Sequence, residues 1–274
     1  MVKTLDISQP TLSSLLNLQG KVAIVTGGAG WLGSSVCEVL AELGAKIFIA
    51  SRDSSKHTII KNNIASLYKS NLEIESAELD LASEKSVKNC FAKIIDRTGR
   101  IDILINNAYS GPSHSFAQTS INEWKEIIDV GLTGCFITMK EAASYMQNTG
   151  GGAIVNVASM YGLVSPNFTV YEETQFTSSP AYGAAKAGVI QLTRYAACSL
   201  ASHNIRVNSL SLGPFPAKPV QEDKIFISRL AAKTPLGRIG SPWEIKGALA
   251  FLATQASSYV TGHNLVVDGG WTAW

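Results

Sequence analysis

The stretch from Lys21 to Gly33, KVAIVTGGAGWLG, decides the reading of this chain. Its apolar run, Val22 to Val25, is patterned as a buried parallel strand, and glycines at 27, 28, 30 and 33 lead into the helical pattern Ser34 to Leu43. Gly28, Gly30 and Gly33 satisfy G-x-G-x-x-G, a spacing at which missing side chains let the backbone turn sharply and approach a pyrophosphate at the positive end of a helix. Strand, tight turn and helix in that order point to dinucleotide binding; the bland alternative is an ordinary strand-to-helix turn.

Outward from this turn the chain alternates strand and helix. Ala45 to Ala50, Glu73 to Leu79, Ile101 to Asn106, Ala153 to Ala158, Ile205 to Leu210 and Asn264 to Val267 read as strands with helical patterns between them. This predicts an α/β, Rossmann-like doubly wound parallel sheet with right-handed crossovers. At 274 residues the chain suits one large domain, residues 21–274, preceded by an extension, residues 1–20. The leucines at 12, 15, 16 and 18 of that extension form either a short apolar turn lying on the domain or a neighbour, or part of a loose tail. Ser120 with Glu123, and Ser241 with Glu244 behind Pro242, are capping-box pairs; Ser179-Pro180 marks another helix start. Long helices are expected over Ile121 to Met146 and Pro180 to Ser202.

A hydrophobic content of 46% against 16% charged residues suits a well-buried core, and a net charge of +2 supplies no field for nucleic acid or an acidic membrane. Small molecules and further subunits are the expected partners. Cys37, Cys90, Cys135 and Cys198 are scattered without a C-x-x-C pair, and His57, His114, His203 and His263 lack metal-ligand spacing. With no signal-like segment and no run of membrane-spanning length, a soluble, cytoplasmic protein without a metal is expected.

Tyr182 and Lys186 lie four apart and share a helix face, which sets an ammonium near a phenol. A nearby cation stabilises a phenolate; a lowering of about three units corresponds to roughly 4 kcal/mol. Taken with Thr26-Gly27, Asp80-Leu81, Asn106-Asn107-Ala108, Ser159, Ile205-Arg206-Val207-Asn208, Thr261-Gly262 and Asp268-Gly269-Gly270, the pair gives the chain a resemblance to the short-chain dehydrogenase/reductase family over residues 20–271. The resemblance implies hydride transfer between a nicotinamide and a carbonyl or alcohol carbon. Tyr182 would be the general acid/base, Ser159 the hydrogen-bonding partner of the substrate oxygen, and Lys186 the residue that lowers the tyrosine and holds the nicotinamide ribose. It also implies dinucleotide contacts from Gly27, Gly28, Gly30, Trp31, Leu32, Gly33, Ser51, Arg52, Asp80, Leu81, Asn107, Ala108, Gly213 and Phe215, besides Tyr182 and Lys186.

Four departures stand out. Gly131 replaces an asparagine that belongs to the family's proton relay, which implies a weakened or rebuilt relay. Leu212-Gly213 replaces a proline-glycine pair, with Ala217 in place of a nearby threonine. Trp31 stands where the shorter branch of the family has glycine, and the interval from Ser159 to Tyr182 is long. The last two features resemble the extended, sugar-nucleotide-modifying branch, while residues 205–274 follow the shorter one. An oxidoreductase of the shorter branch is therefore the leading expectation. A dehydratase or epimerase with retained cofactor and a non-catalytic dinucleotide-binding scaffold are its rivals. Ser51 in the place of an acid, followed by Arg52, favours NADP(H); Asp53 keeps NAD(H) open. Small residues on the two long helices suit a homotetramer or a dimer. In the loop Tyr161 to Ser179, rings at Phe168, Tyr171 and Phe176 alternate with Glu172, Glu173 and other polar groups, which suits a hydroxylated, sugar-like substrate; the alternative is that both glutamates face water.

Overall fold

Seven parallel strands carry the apolar runs: β1 Val22–Thr26, β2 Lys46–Ser51, β3 Ile74–Glu78, β4 Ile103–Asn106, β5 Gly152–Ser159, β6 Ile205–Leu212 and β7 Asn264–Val267. Their order in the computed structural model, which describes residues 9–68 and 72–274, is β3-β2-β1-β4-β5-β6-β7. Every neighbouring pair is parallel, and the order reverses between β1 and β4, the place where such sheets bind ligands. β1 and β4 are buried along their whole length, which is why they read as unbroken apolar runs rather than as alternation.

Helices cover both faces of this single-domain sheet. Phe91 and Ile94 of α4 (Glu84–Thr98), Met139 and Met146 of α6 (Gly134–Met146) and Val189 and Ile190 of α7 (Pro180–Leu200) fill one core. Val36 and Leu40 of α2 (Trp31–Glu42), Ile64 of α3 (His57–Leu67) and Leu249 and Leu252 of α9 (Lys246–Ala253) fill the other. A third cluster, Met160, Val170, Phe226, Leu230 and Trp271, binds the loop after β5 to α8 (Lys224–Ala232) and the final turn. Of the extension, Thr11 caps a short helix, α1 (Leu12–Leu16), while Leu12 is exposed. Leu16 and Leu18 join the α2–α9 core, and Leu18 N–H donates to Leu43 O at 2.8 Å. Residues 1–8 lie outside the described residues.

Two helix expectations are corrected. The stretch 121–146 is not one continuous α-helix: α5 (Ile121–Ile128) widens into a π turn, Asp129–Thr133, before α6 begins. Gly131 sits in that turn, and such insertions in a helix are frequent at functional sites. Ser241 and Glu244 form their capping box, yet it opens a 3₁₀ turn, Pro242–Ile245, with α9 following. The box at Ser120 and Glu123 opens α5 as expected. Ser179 precedes α7 without capping it, and its buried Oγ has no hydrogen-bond partner.

β1 and β4 are tied at their ligand-facing ends by two side chains. Thr26 Oγ1 accepts from Asn107 N–H at 3.0 Å and Ala108 N–H at 3.1 Å, and Asn107 Nδ2 donates to the carbonyls of Thr26 (3.2 Å) and Gly27 (3.1 Å). The approach is close enough that a Cβ on Gly27, whose φ is +63°, would lie 2.8 Å from Ala108 Cα. Thr26→Val keeps the volume but leaves two N–H groups without their acceptor. At about 1–3 kcal/mol for each unsatisfied group, the variant is expected to lose about 2–6 kcal/mol in urea unfolding, with Thr26→Ser close to wild type.

Candidate active site

A cleft of about 540 Å³ opens over the carboxyl ends of β1, β2 and β4. Gly27, Gly30, Trp31, Leu32 and Gly33 line it from the first turn, Ser51 and Arg52 from β2, Asp80 and Leu81 from β3, Asn107 and Ala108 from β4, and Phe215 and Ala217 from the segment after β6. The turn is built without side chains of necessity: a Cβ on Gly33 would stand 2.2 Å from Gly27 O. This cradle at the start of the 12-residue α2 fits a dinucleotide pyrophosphate. Gly28 and Gly213 do not line the cleft. Gly28 packs on Cys37 Sγ and Gly213 on Asp268, so each shapes the site from behind. Trp31 contributes an indole N–H that is buried and unpartnered.

At the end of β2, Ser51 Oγ donates to Asp53 O at 2.8 Å and lies 2.7 Å from His57 Nε2. Because the hydroxyl has a single proton, His57 is the donor in the second bond. His57 is fully buried, and burial, aided by the Lys61 charge, lowers its pKa. Asp53 Oδ1 is occupied by Ser55 N–H at 2.8 Å, while Arg52 and Lys56 line the cleft mouth.

α7 brings Tyr182 and Lys186 over the end of β5. Lys186 is 4% exposed and donates from Nζ to Val157 O at 2.7 Å. Nζ stands 5.8 Å from the centroid of the Tyr182 ring. Ser159 Oγ accepts Tyr161 N–H at 3.1 Å, which leaves its own proton for another oxygen. Burial pushes the Tyr182 phenol above its ordinary value, with Ser159 pulling the other way. The Lys186 ammonium lies over the ring and is held by a carbonyl, and burial pushes the lysine itself down to about 8.

Sequence reasoning missed Tyr109, whose ring meets that of Tyr182 edge-on at 4.8 Å and 73°. Its place directly after Asn107-Ala108 was the available signal. Beside Gly131 a cavity of about 10 Å³, bounded also by Thr26, Asn106, Cys135 and Lys186, has about the least volume that holds one water.

The loop after β5 departs from expectation. Glu172 and Glu173 are exposed; Arg229 of α8 lies 3.8 Å from the Glu173 carboxylate and donates to Glu172 O, so both acids face water rather than the pocket. Tyr171 and Phe176 are spent on Phe226, at 5.4 and 4.7 Å between centroids, because α8 needs an apolar cover. Tyr161 and Tyr171 join hydroxyls at 2.7 Å. A hollow of about 370 Å³ between Phe116, Tyr161, Leu163, Val164, Phe168 and Ser179 adjoins them. A depression of about 860 Å³ lies at the opposite ends of the strands, around Lys21, Asp102 and Arg206, away from these groups.

A family model described as enoyl-(acyl carrier protein) reductase matches residues 28–272. The chain is 33% identical over 255 residues to a cis-4-hydroxycyclohexanecarboxylate dehydrogenase of Sinomonas cyclohexanicum, covering 92% of this chain and 97% of the relative. A crystal structure of a short-chain type dehydrogenase/reductase from Mycobacterium marinum superposes with a TM-score of 0.86 at 31% identity, over 97% of this chain and 100% of that one. A gluconate 5-dehydrogenase from Burkholderia cenocepacia J2315, solved with NADP and tartrate, gives 0.86 at 28% identity, over 96% and 100%.

Holding Lys186 costs the fold stability. Its pKa is lower folded than unfolded, so the folded state binds the proton more weakly; the penalty is complete below about pH 8 and fades as pH rises toward the ordinary lysine value of about 10.4. Lys186→Met is expected to raise the unfolding free energy by about 1–3 kcal/mol near pH 7, a gain that shrinks near pH 10. Urea unfolding at the two pH values measures it.

Proposed function

We propose NADP(H) as the cofactor of this chain, which belongs to the short-chain dehydrogenase/reductase family and interconverts a carbonyl and an alcohol by hydride transfer with a nicotinamide dinucleotide. The observation that carries the cofactor reading is the mouth at the end of β2. Ser51 stands at the strand end in place of an acid, Arg52 and Lys56 both line the cleft, and Asp53, which lines it too, has one carboxylate oxygen held by Ser55 N–H. A guanidinium fork and an ammonium suit a 2′-phosphate. A kcat/KM ratio favouring NADPH over NADH is expected, and Ser51→Asp should move it toward NADH; a wild-type ratio favouring NADH overturns the reading.

In the proposed reaction the bound dinucleotide supplies or accepts the hydride. Ser159 donates its free proton to the substrate oxygen, and Tyr182 gives a proton to that oxygen in reduction or takes it in oxidation. Lys186, anchored on Val157 O, holds the tyrosine ring and the nicotinamide ribose. Tyr182→Phe deletes one acidic proton and little volume. Its kcat is expected to fall about 10²- to 10⁴-fold, about 3–5 kcal/mol, with dinucleotide affinity intact by fluorescence titration. Retention of about a tenth of kcat rules out Tyr182 as the acid.

The substrate reading is a hydroxylated compound of sugar size. Its support is the gluconate and hydroxycyclohexanecarboxylate relatives and the phenol pair Tyr161–Tyr171, not the glutamates. Residues 1–20 are read as an extension to a catalytic domain of residues 21–274. No helix among the described residues is long and apolar enough to cross a membrane, and the reading places the enzyme in the cytoplasm as a homotetramer or dimer. Exposed Ile121, Trp124, Phe136 and Tyr195 on α5, α6 and α7 support assembly. Light scattering at micromolar concentration is expected to give a multiple of the 29.2 kDa chain.

A further inference from the structure

Tyr109 gives and takes no hydrogen bond within the Ser159–Tyr182–Lys186 group, yet its ring covers two of the three. Its backbone is fixed first: the two preceding N–H groups, of Asn107 and Ala108, both end on Thr26 Oγ1, so the position of this ring follows from the junction of β1 and β4. The ring then meets Tyr182 edge-on at 4.8 Å, an arrangement favoured by the quadrupoles of both rings. Lys186 Nζ lies 5.9 Å from the Tyr109 centroid and 5.8 Å from that of Tyr182, within cation–π range of both. Tyr109 also lines the dinucleotide cleft and is 39% exposed, so it stands between the solvent of that cleft and the pair of half-buried Tyr182 and buried Lys186. On its inner side it faces the π turn: a Cβ on Gly131 would lie 3.9 Å from Tyr109 Cδ2 and 3.5 Å from Ala185 Cβ, ordinary contacts. The ring, not a side chain at 131, therefore walls off this side of the pair.

From this geometry we infer that Tyr109 is a positioning residue for the proposed reaction, holding the Tyr182 ring and excluding water from the Tyr182–Lys186 pair. It acts through its ring rather than its hydroxyl, which burial pushes up to about 12. The ionisable groups around the pair are Tyr161 and Tyr171 on the loop after β5, Cys135 on α6 beside Lys186, and Glu126 on α5 beside Tyr109. None of these lies between the pair and the cleft as Tyr109 does. Because burial is what raises the Tyr182 phenol, removal of the cover lowers it.

The inference rests on the oxidoreductase reading for its meaning in catalysis, but its test does not require turnover. Ultraviolet difference titration of the full-length protein, with and without Tyr182→Phe, isolates the ionisation of Tyr182 in wild type, Tyr109→Phe and Tyr109→Ala. The midpoint is expected to fall by about one unit in Tyr109→Ala and to stay within about 0.3 of wild type in Tyr109→Phe. In reduction of any carbonyl compound that wild type accepts, kcat is expected to fall about tenfold in Tyr109→Ala with rescue by Tyr109→Phe. An unmoved midpoint in Tyr109→Ala, or a midpoint moved as far by Tyr109→Phe as by Tyr109→Ala, overturns the inference. Because the titration reads an ionisation, it stands or falls separately from any failure to find a substrate.

Discussion

Much of this molecule depends on the two hydrogen bonds that Thr26 Oγ1 accepts from the backbone after β4. The segments that leave β1 and β4 border the cleft, and the Thr26 hydroxyl and the Asn107 amide tie them together at its floor. Through Asn107 the same junction sets the glycine turn, whose carbonyls at Thr26 and Gly27 accept from its side chain. Through Ala108 it sets the ring of Tyr109 and thereby the wall of the reacting pair. The phosphate cradle and the proton-transfer end are thus positioned by one short piece of backbone.

The sheet was legible in the sequence because parallel strands buried on both faces read as unbroken apolar runs, as β1 and β4 do. The positions of Tyr182, Lys186 and Ser159 were legible for a similar reason: i to i+4 spacing fixes a face, and a strand end fixes a neighbour. What the spacing could not supply was the electrostatics. A tyrosine and a lysine four apart suggest a cation beside a phenolate. The fold instead buries Lys186 and half-buries Tyr182, seats the ammonium on Val157 O and over two rings, and desolvation pushes the phenol up and the lysine down. Desolvation is a property of everything packed around a residue, and no local pattern carries it.

The substrate end was least legible, for a different reason. Adjacent glutamates and interleaved aromatics in a loop give no period, so nothing in the pattern tells which side of the loop faces the pocket. Arg229, 57 positions beyond Glu172, settles it by drawing the loop carbonyl and the Glu173 carboxylate toward α8. Tyr171 and Phe176 pack on Phe226 of the same helix. The π turn at Asp129–Thr133 was similarly hidden: Gly131 signalled a tolerant position, but its φ is not left-handed and a Cβ there would meet only ordinary contacts, so sterics alone do not demand a glycine.

The third apolar cluster has a dynamic consequence. Met160 and Val170 from the loop, Phe226 and Leu230 from α8, and Trp271 from the last turn bury one another, apart from the two cores that line the sheet. A small core of its own makes these segments a cooperative unit with an opening free energy below that of the whole domain. Trp271 meets Tyr161 edge-on at 6.4 Å between centroids, so the carboxyl-terminal turn braces the loop that borders the reacting pair.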